Sequence, residues 1–426
     1  MFLSHIPVTR KIAGLPRPAW ILFGGTFINR FGNFLPVFLV LYLTAKGYSA
    51  AIAGAALGAV GAGNLAGNAI GGSVADRLGR RGTIALSMLG SGLSTILVPL
   101  VGNIVLLFIL IGVVGVFAQI YQPASGAILL DVVPDDRRTI AFAVYRMAIN
   151  LGMAAGPVVG GVISNHSYTW LFMGDAFSSL AYCGIALLML PETSPRTVTG
   201  GEALGKEVRR REGYRSVIGN DRHFLLFLCG IMSAAYIYIQ STATLPLQVK
   251  DSGLPNSFYG LLLGMNAAVV VVCELPITHL VEELPSAIVI TSGLGLMGAG
   301  FGLTALARSP EFLVFTVLTW TLGEMIMMPL AFAYPGRSAP ARLRGRYQGS
   351  FGLAQGVSTG VGPVIGGYLY SRNHALNWGV CGMVGIIGMA FMVAGTRTRA
   401  YRPAGYPVLE AKADSSAESQ RGLGSA

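Results

Sequence analysis

Twelve apolar runs, each long enough to cross a lipid bilayer, dominate this chain: roughly residues 20–43, 51–74, 83–101, 104–130, 138–163, 168–190, 223–247, 256–279, 285–307, 311–334, 346–371 and 376–395. A helix needs about 20 mostly apolar residues to span the hydrocarbon core. Over that distance a single segment satisfies its own backbone only as a helix. The runs therefore predict an all-α polytopic membrane protein with twelve transmembrane helices, numbered here as spans 1–12. Composition closes the other routes. Only 12% of the 426 residues are charged, against about 25% in a soluble domain, so a water-soluble globule could not cover its exterior. Disorder is excluded too, because disordered chains are poor in aliphatic residues. The 58 glycines suit helices that approach closely in lipid through small residues. Cys183, Cys229, Cys273 and Cys381 all fall inside apolar runs without paired spacing, which argues against a disulfide framework or a cysteine metal site.

Charge placement orients the spans. With both termini cytoplasmic, 24 of the 30 lysines and arginines fall on the inner side and four (Lys46, Lys250, Arg308, Arg372) on the outer side. This asymmetry is what the positive-inside rule requires. It also explains the net charge of +11 without a nucleic-acid site, since the basic residues are scattered rather than gathered in a patch. The predicted organisation is a cytoplasmic segment over 1–19, a six-helix bundle over 20–190, a basic cytoplasmic linker over 191–222, a second six-helix bundle over 223–395, and a disordered cytoplasmic tail over 396–426.

The two bundles repeat one unit. Span 5 carries Gly156-Pro157-Val158-Val159-Gly160-Gly161 and span 11 carries Gly362-Pro363-Val364-Ile365-Gly366-Gly367, an offset of 206. The same offset relates Pro123 to Pro329 and Arg138 to Arg344. Six spans per unit is an even number, so the repeats run parallel, as suits two bundles that rock about a central site. The internal prolines remove a helix hydrogen bond, and the flanking glycines permit close approach and flexing. The two motifs are read as helix-kink elements, with static packing as the alternative.

Between spans 2 and 3 stands Gly72-Ser73-Val74-Ala75-Asp76-Arg77-Leu78-Gly79-Arg80-Arg81. This resembles the G-x-x-x-D-R-x-G-R-R signature of the major facilitator superfamily. The twelve spans and the central basic loop extend that resemblance over nearly the whole chain, and the Gly-Pro motif of span 5 is similar to one in the family's drug:proton antiporters. The resemblance implies the major facilitator fold, with two parallel six-helix repeats. It also implies that Gly72, Asp76, Arg77, Gly79, Arg80 and Arg81 form a conformational latch on the cytoplasmic face of the outward-open state. Asp76 is placed to accept hydrogen bonds from Arg80 or from the start of span 11 at Arg344–Arg346, and Asp131 is a second partner for Arg80. The repeat-equivalent positions Glu282 and Glu283 lack the arginines, which predicts unequal gating of the halves.

Ionisable residues inside a bilayer are costly and usually face a pathway or each other. Arg30, Arg146, Glu274, Glu324 and Asp175 stand in spans. By the resemblance, spans 1, 4, 7 and 10 line the cavity, which makes Glu324 the candidate proton carrier and Arg30 its counter-charge or a substrate anchor. Glu274 is a further candidate for proton coupling or a structural pair, and Arg146 for bracing Asp131 or another loop acid. Asn29, Gln119, Tyr121, Gln122, Arg146, Tyr236, Gln240, Trp320 and Met328 supply a predicted substrate cavity. Aromatic and methionine side chains with a few polar groups suit an amphipathic or lipophilic molecule.

The expected function is secondary active transport: a multidrug-type antiporter in the cell (inner) membrane that couples efflux to protons by alternating access. The alternatives are transport of a specific metabolite, such as a sugar or amino acid, or import by proton symport. No metal-ligand spacing, nucleophile elbow or phosphate loop points to an enzyme, and no cofactor or metal is implied. The expected partners are a small-molecule substrate, protons and membrane lipids, with no nucleic acid, and the chain is expected to act as a monomer.

Overall fold

Polar caps start five of the helices. Ser49 accepts a hydrogen bond from the Ile52 N–H, Asn103 from Val105 and Leu106, Ser167 from Trp170, Asp221 from Phe224 and Ser309 from Phe312. Each satisfies a backbone donor that the first helical turn leaves free. The computed structural model describes residues 14–134, 137–192, 221–281, 284–339 and 344–396, and among these all regular structure is helical. Spans 1–6 are Arg17–Phe31 with Leu35–Ala45, Ala50–Leu78, Arg80–Leu97, Ile104–Val132, Arg138–His166 and Tyr168–Met189. Spans 7–12 are Arg222–Ala243 with Leu245–Asp251, Asn256–Val281, Ser286–Leu303, Pro310–Ser338, Arg344–Arg372 and His374–Thr396. Residues 1–13 of the N-terminal segment, 193–220 of the linker, Glu282, Glu283 and 397–426 of the tail lie outside the described residues.

Eleven of these segments are long and apolar enough to cross a membrane. Span 11 is the exception to the expected twelve. It runs for 29 residues, but Arg346, Gln348, Gln355, Ser358 and Thr359 lower its hydropathy. Packing against spans 2 and 7, rather than apolarity, holds it in the bundle. Outward faces elsewhere are aliphatic or aromatic: Val105, Ile109, Phe177 and Leu188 are all exposed, as a lipid-facing surface requires.

Two spans are not the continuous helices their hydropathy suggests. Span 1 breaks at Gly32–Phe34 and resumes with Pro36 in its first turn; span 7 breaks at Thr244 and resumes with Pro246. A proline in the first turn forfeits no intrahelical bond. Broken backbone in a membrane is tolerated where protein or a cavity satisfies it. The Leu35 N–H reaches the Asp175 carboxylate at 2.8 Å, while Thr244 is held by Gln240 and Asn377.

Spans 1–6 pack among themselves, as do spans 7–12, and the two sets meet chiefly where span 2 crosses span 11 and span 5 crosses span 8. These crossings are one contact used twice. A Cβ on Gly54 would collide with the Pro363 carbonyl, and one on Gly260 with the Pro157 carbonyl. Gly58 faces Val364 as Gly264 faces Val158. Each residue of the second pair stands 206 positions from its equivalent in the first. Both helices run unbroken through Pro157 and Pro363. Gly156 and Gly160 also seat span 5 on span 1 at Phe31 and Phe34, and Gly362 and Gly366 seat span 11 on span 7 at Ile239 and Gln240.

Candidate functional site

The contacts between the halves cluster at the end that carries Lys46, Lys250 and Arg372. There Lys250 Nζ donates to Thr44 Oγ1 (3.2 Å), the Tyr259 hydroxyl to the Val37 carbonyl (3.3 Å) and Asn256 to the Tyr168 hydroxyl (2.9 Å). Along span 2 the close approaches reach Leu65 against Gly356; beyond it Asp76, Arg77 and Leu78 are exposed. The two halves are therefore closed at the arginine-poor end and splayed at the basic end.

At the basic end Arg80 pairs with Asp131 and also donates to the Ala127 carbonyl at 3.3 Å. Arg81 lies 3.6 Å from Glu192, a residue the sequence reading passed over. Gly79 sits at φ +74°, a conformation that favours glycine, and a Cβ there would meet the Glu192 carboxylate. Asp76 does not bond Arg80. It is exposed, because Arg80 points instead along span 4 toward Asp131. Gly72 has open space beside it, and Arg77 is exposed. The Arg344 side chain lies outside the described residues. Arg146 does not brace Asp131 either; it is exposed on span 5, and Asp131 is already engaged by Arg80.

Glu324 lies deep between spans 7, 8 and 10, yet is only half-buried. Its Oε2 accepts from Asn266 Nδ2 at 3.0 Å, the same amide reaches Thr321 Oγ1 at 3.0 Å, and the Tyr238 hydroxyl is a second partner. Glu274 stands two turns from Asn266 on span 8, within electrostatic range of Glu324. Arg30 and Glu324 are not brought together. Arg30 lies in the first half, its guanidinium over the Tyr121 ring at 5.8 Å, beside a pocket that Asn29 and Gln119 also line.

Several cavity candidates prove to be packing. Trp320 is 1% exposed, stacked on Phe301 at 5.1 Å and edge-on to Tyr238. Gln240 is fully buried and ties span 7 to span 11 through the Gly362 carbonyl at 3.1 Å. Tyr121 is sealed against Tyr182. Tyr236 and Met328 are half-buried, while Gln122, a turn beyond Gln119, is exposed. Asn266 and Thr321 were missed because a lone Asn or Thr in a span carries no spacing signal. The Gly54/Gly58 and Gly260/Gly264 pairs, in contrast, could have been found with the 206-residue offset. Among the described residues no cluster of His, Cys, Asp or Glu suits a metal.

Comparison with known proteins accords with this architecture. The chain is 27% identical over 354 residues to the uncharacterized MFS-type transporter YqjV of Bacillus subtilis (strain 168), covering 82% of this chain and 85% of the relative. It is 22% identical over 368 residues to the multidrug resistance protein MdtH of Citrobacter koseri, covering 84% and 88%. A crystal structure of the peptide transporter POT in complex with sulfate shares the fold at a TM-score of 0.74 and 18% identity, over 92% of this chain and 99% of that one. The sequence profile of the Major Facilitator Superfamily matches residues 22–363 and again 226–419, and the chain belongs to that family of membrane transporters.

Proposed function

We propose that this protein is a proton-coupled exporter of lipophilic or amphipathic small molecules that works by alternating access in the cell (inner) membrane, with its basic end and both termini in the cytoplasm. The observation that carries the reading is Glu324: a carboxyl deep among spans 7, 8 and 10, partly accessible, and held by the neutral partners Asn266 and Tyr238. A carboxyl without a bound cation can lose and regain a proton without dismantling an ion pair. The 20–190 and 223–395 bundles tilt relative to each other, parting the paired glycine crossings at the arginine-poor end, and the arrangement described here is taken as the inward-open one. In the opposite state the Asp76 loop closes on span 11. The relationship to a multidrug resistance protein supports an organic substrate of broad type.

The test is reconstitution into liposomes loaded with a pH indicator and challenged with a panel of lipophilic cations, neutral drugs and polar metabolites. Proton movement driven by several lipophilic compounds, abolished in Glu324→Gln while the variant still folds, is the expected result. Flux driven by one saturable polar metabolite would favour a dedicated metabolite transporter. Substrate movement undiminished by E324Q and independent of pH would overturn the coupling.

A further inference from the structure

The repeat makes a comparison between the halves possible, position by position. In the second half the place where spans 7, 9, 10 and 12 converge is filled by Trp320, Met297, Met325 and Cys381, with Trp320 stacked on Phe301. The positions 206 residues earlier are Val114, Ser91, Gln119 and Asp175. These smaller or polar side chains leave the equivalent site in the first half open, as a pocket of about 40 Å³, room for a few waters, among spans 1, 2, 3, 4 and 6. Arg30, Asn33 and Asn64 add to the polar part of its wall, which Leu35, Pro36 and Val60 interrupt.

Asp175 is 5% exposed, and among the described residues it has no ion-pair partner. Its carboxylate is held by the backbone N–H groups of Leu35 (2.8 Å) and Phe34, at the break in span 1. Around the pocket, Arg30 Nε, Asn64 Oδ1 and Gln119 Oε1 are buried and have no protein hydrogen-bond partner. A polar space of this size with unpaired donors and acceptors is suited to ordered water. Gln119 leads one turn along span 4 to the exposed Gln122, toward the splayed basic end. Arg30, on span 1, is the one charged side chain besides Asp175 on the pocket wall; spans 2, 3 and 4 contribute Asn64, Ser91 and Gln119, which are neutral.

We infer that Asp175 is a second proton-exchanging site, reached by water through this pocket, and that its occupancy is read by the break in span 1. One proton passes from bulk through pocket water to a carboxylate oxygen; the carboxyl O–H bond forms as one O–H bond of a hydronium ion in the pocket breaks, leaving water. The ionised form offers two acceptor oxygens to the Phe34 and Leu35 N–H groups. The protonated form keeps one free acceptor and gains a donor, so the end of the half-helix Leu35–Ala45 is held differently in the two states. Interrupted helices are common places for transporters to build their binding sites. This inference rests on the proton-coupled reading above, to which it adds a carboxyl in the half that lacks Glu324.

The opposing view is that Asp175 is a fixed helix cap with one charge state. Infrared spectroscopy of the purified full-length protein across a pH titration separates the two, by following the protonated-carboxyl band in wild type, Asp175→Asn, Glu324→Gln and the double variant. D175N keeps an amide oxygen for the Leu35 N–H, so it should melt within a few degrees of wild type, whereas Asp175→Leu, which removes the acceptor, should melt lower. The expected result is that D175N deletes one titrating carboxyl component, comparable in size to the one that E324Q deletes. A D175N titration that superimposes on wild type would overturn the inference, because a permanently charged or permanently protonated cap contributes no change. Loss of the Asp175 component with none assignable to Glu324 would sink the coupling reading and leave the Asp175 site standing.

Discussion

Adding one methyl group at Gly58 tests whether the glycine crossings hold the arginine-poor end shut. A Cβ there would stand 2.7 Å from the Gly360 carbonyl oxygen and 2.7 Å from Val364 Cγ2, where ordinary contact begins at 3.4 Å. The carbonyl belongs to a helix backbone and cannot rotate away, so spans 2 and 11 must part by about 0.7 Å. Overpacking of this kind costs about 1–3 kcal/mol. Alanine's better helix propensity acts in both states and cancels from their ratio. The whole cost therefore falls on the state in which the crossing is closed, shifting the equilibrium roughly 5- to 150-fold toward the opposite state. Ser257, which packs beside Gly161 at the other crossing, reports the change when replaced by cysteine. A membrane-impermeant maleimide applied from the side of Lys46 and Arg372 should label Ser257→Cys faster by that factor in the Gly58→Ala background. Gly264→Ala, the repeat equivalent, should act alike. Gly24→Ala and Gly184→Ala, whose new Cβ atoms would meet nothing within 4 Å, should leave the rate unchanged. Equal labelling in G58A and in these controls would refute the idea that the crossing is part of the moving gate.

Three further outcomes follow from the same geometry. Asp76→Asn should leave the melting temperature unchanged, since Asp76 is exposed in this state, but should slow S257C labelling because it weakens a latch made in the other state. Arg80→Ala should lower thermal stability, at a cost of about 1–2 kcal/mol for stranding a part-buried Asp131, and a melt identical to wild type would dismiss that pair as a brace. Trp320→Ala should cost about 3–5 kcal/mol in thermal unfolding, as expected of a core plug; a stable variant with altered substrate range would return Trp320 to the cavity wall.

Span positions and the repeat were legible because apolarity over twenty residues, charge asymmetry and an exact offset are all written along the chain. The breaks in spans 1 and 7 were not, because Pro36 and Pro246 lie in stretches whose hydropathy never falters. What satisfies the first break, Asp175, arrives from five spans away. Partner choice was the least legible property of the site. Arg80 had two acids within reach in sequence terms, Asp76 and Asp131, and only the direction of its side chain selects Asp131. Trp320 and Gln240 looked like cavity lining because an aromatic ring or an amide has the same composition whether it faces a ligand or a neighbouring helix. Glu324 stood out on cost alone, whereas Asn266, the group that holds it, is neutral and carries no such mark.

The two crossings are symmetric while the chemistry is not, and the difference has a physical logic. At Gly54, Gly58, Gly260 and Gly264 the moving faces are largely bare backbone, so parting them frees no long side chains and exposes few polar groups. The hydrogen bonds lost at the closed end are a handful: Lys250 to Thr44, Tyr259 to Val37 and Asn256 to Tyr168 among them. Each has a net worth of about 0.5–1.5 kcal/mol, since water replaces the partner. These polar contacts therefore add only a few kcal/mol to the gap between open and closed forms, an amount that a differentially bound proton or substrate can offset. Had the halves been joined at this end by buried ion pairs, each opening would have stranded charges at a cost of several kcal/mol per pair, more than one coupled ion could return. The charges sit instead behind the crossing faces, Glu324 in one bundle and Arg30 with Asp175 in the other, where the proposed change in protonation would alter a half without breaking the surface it shares with the other.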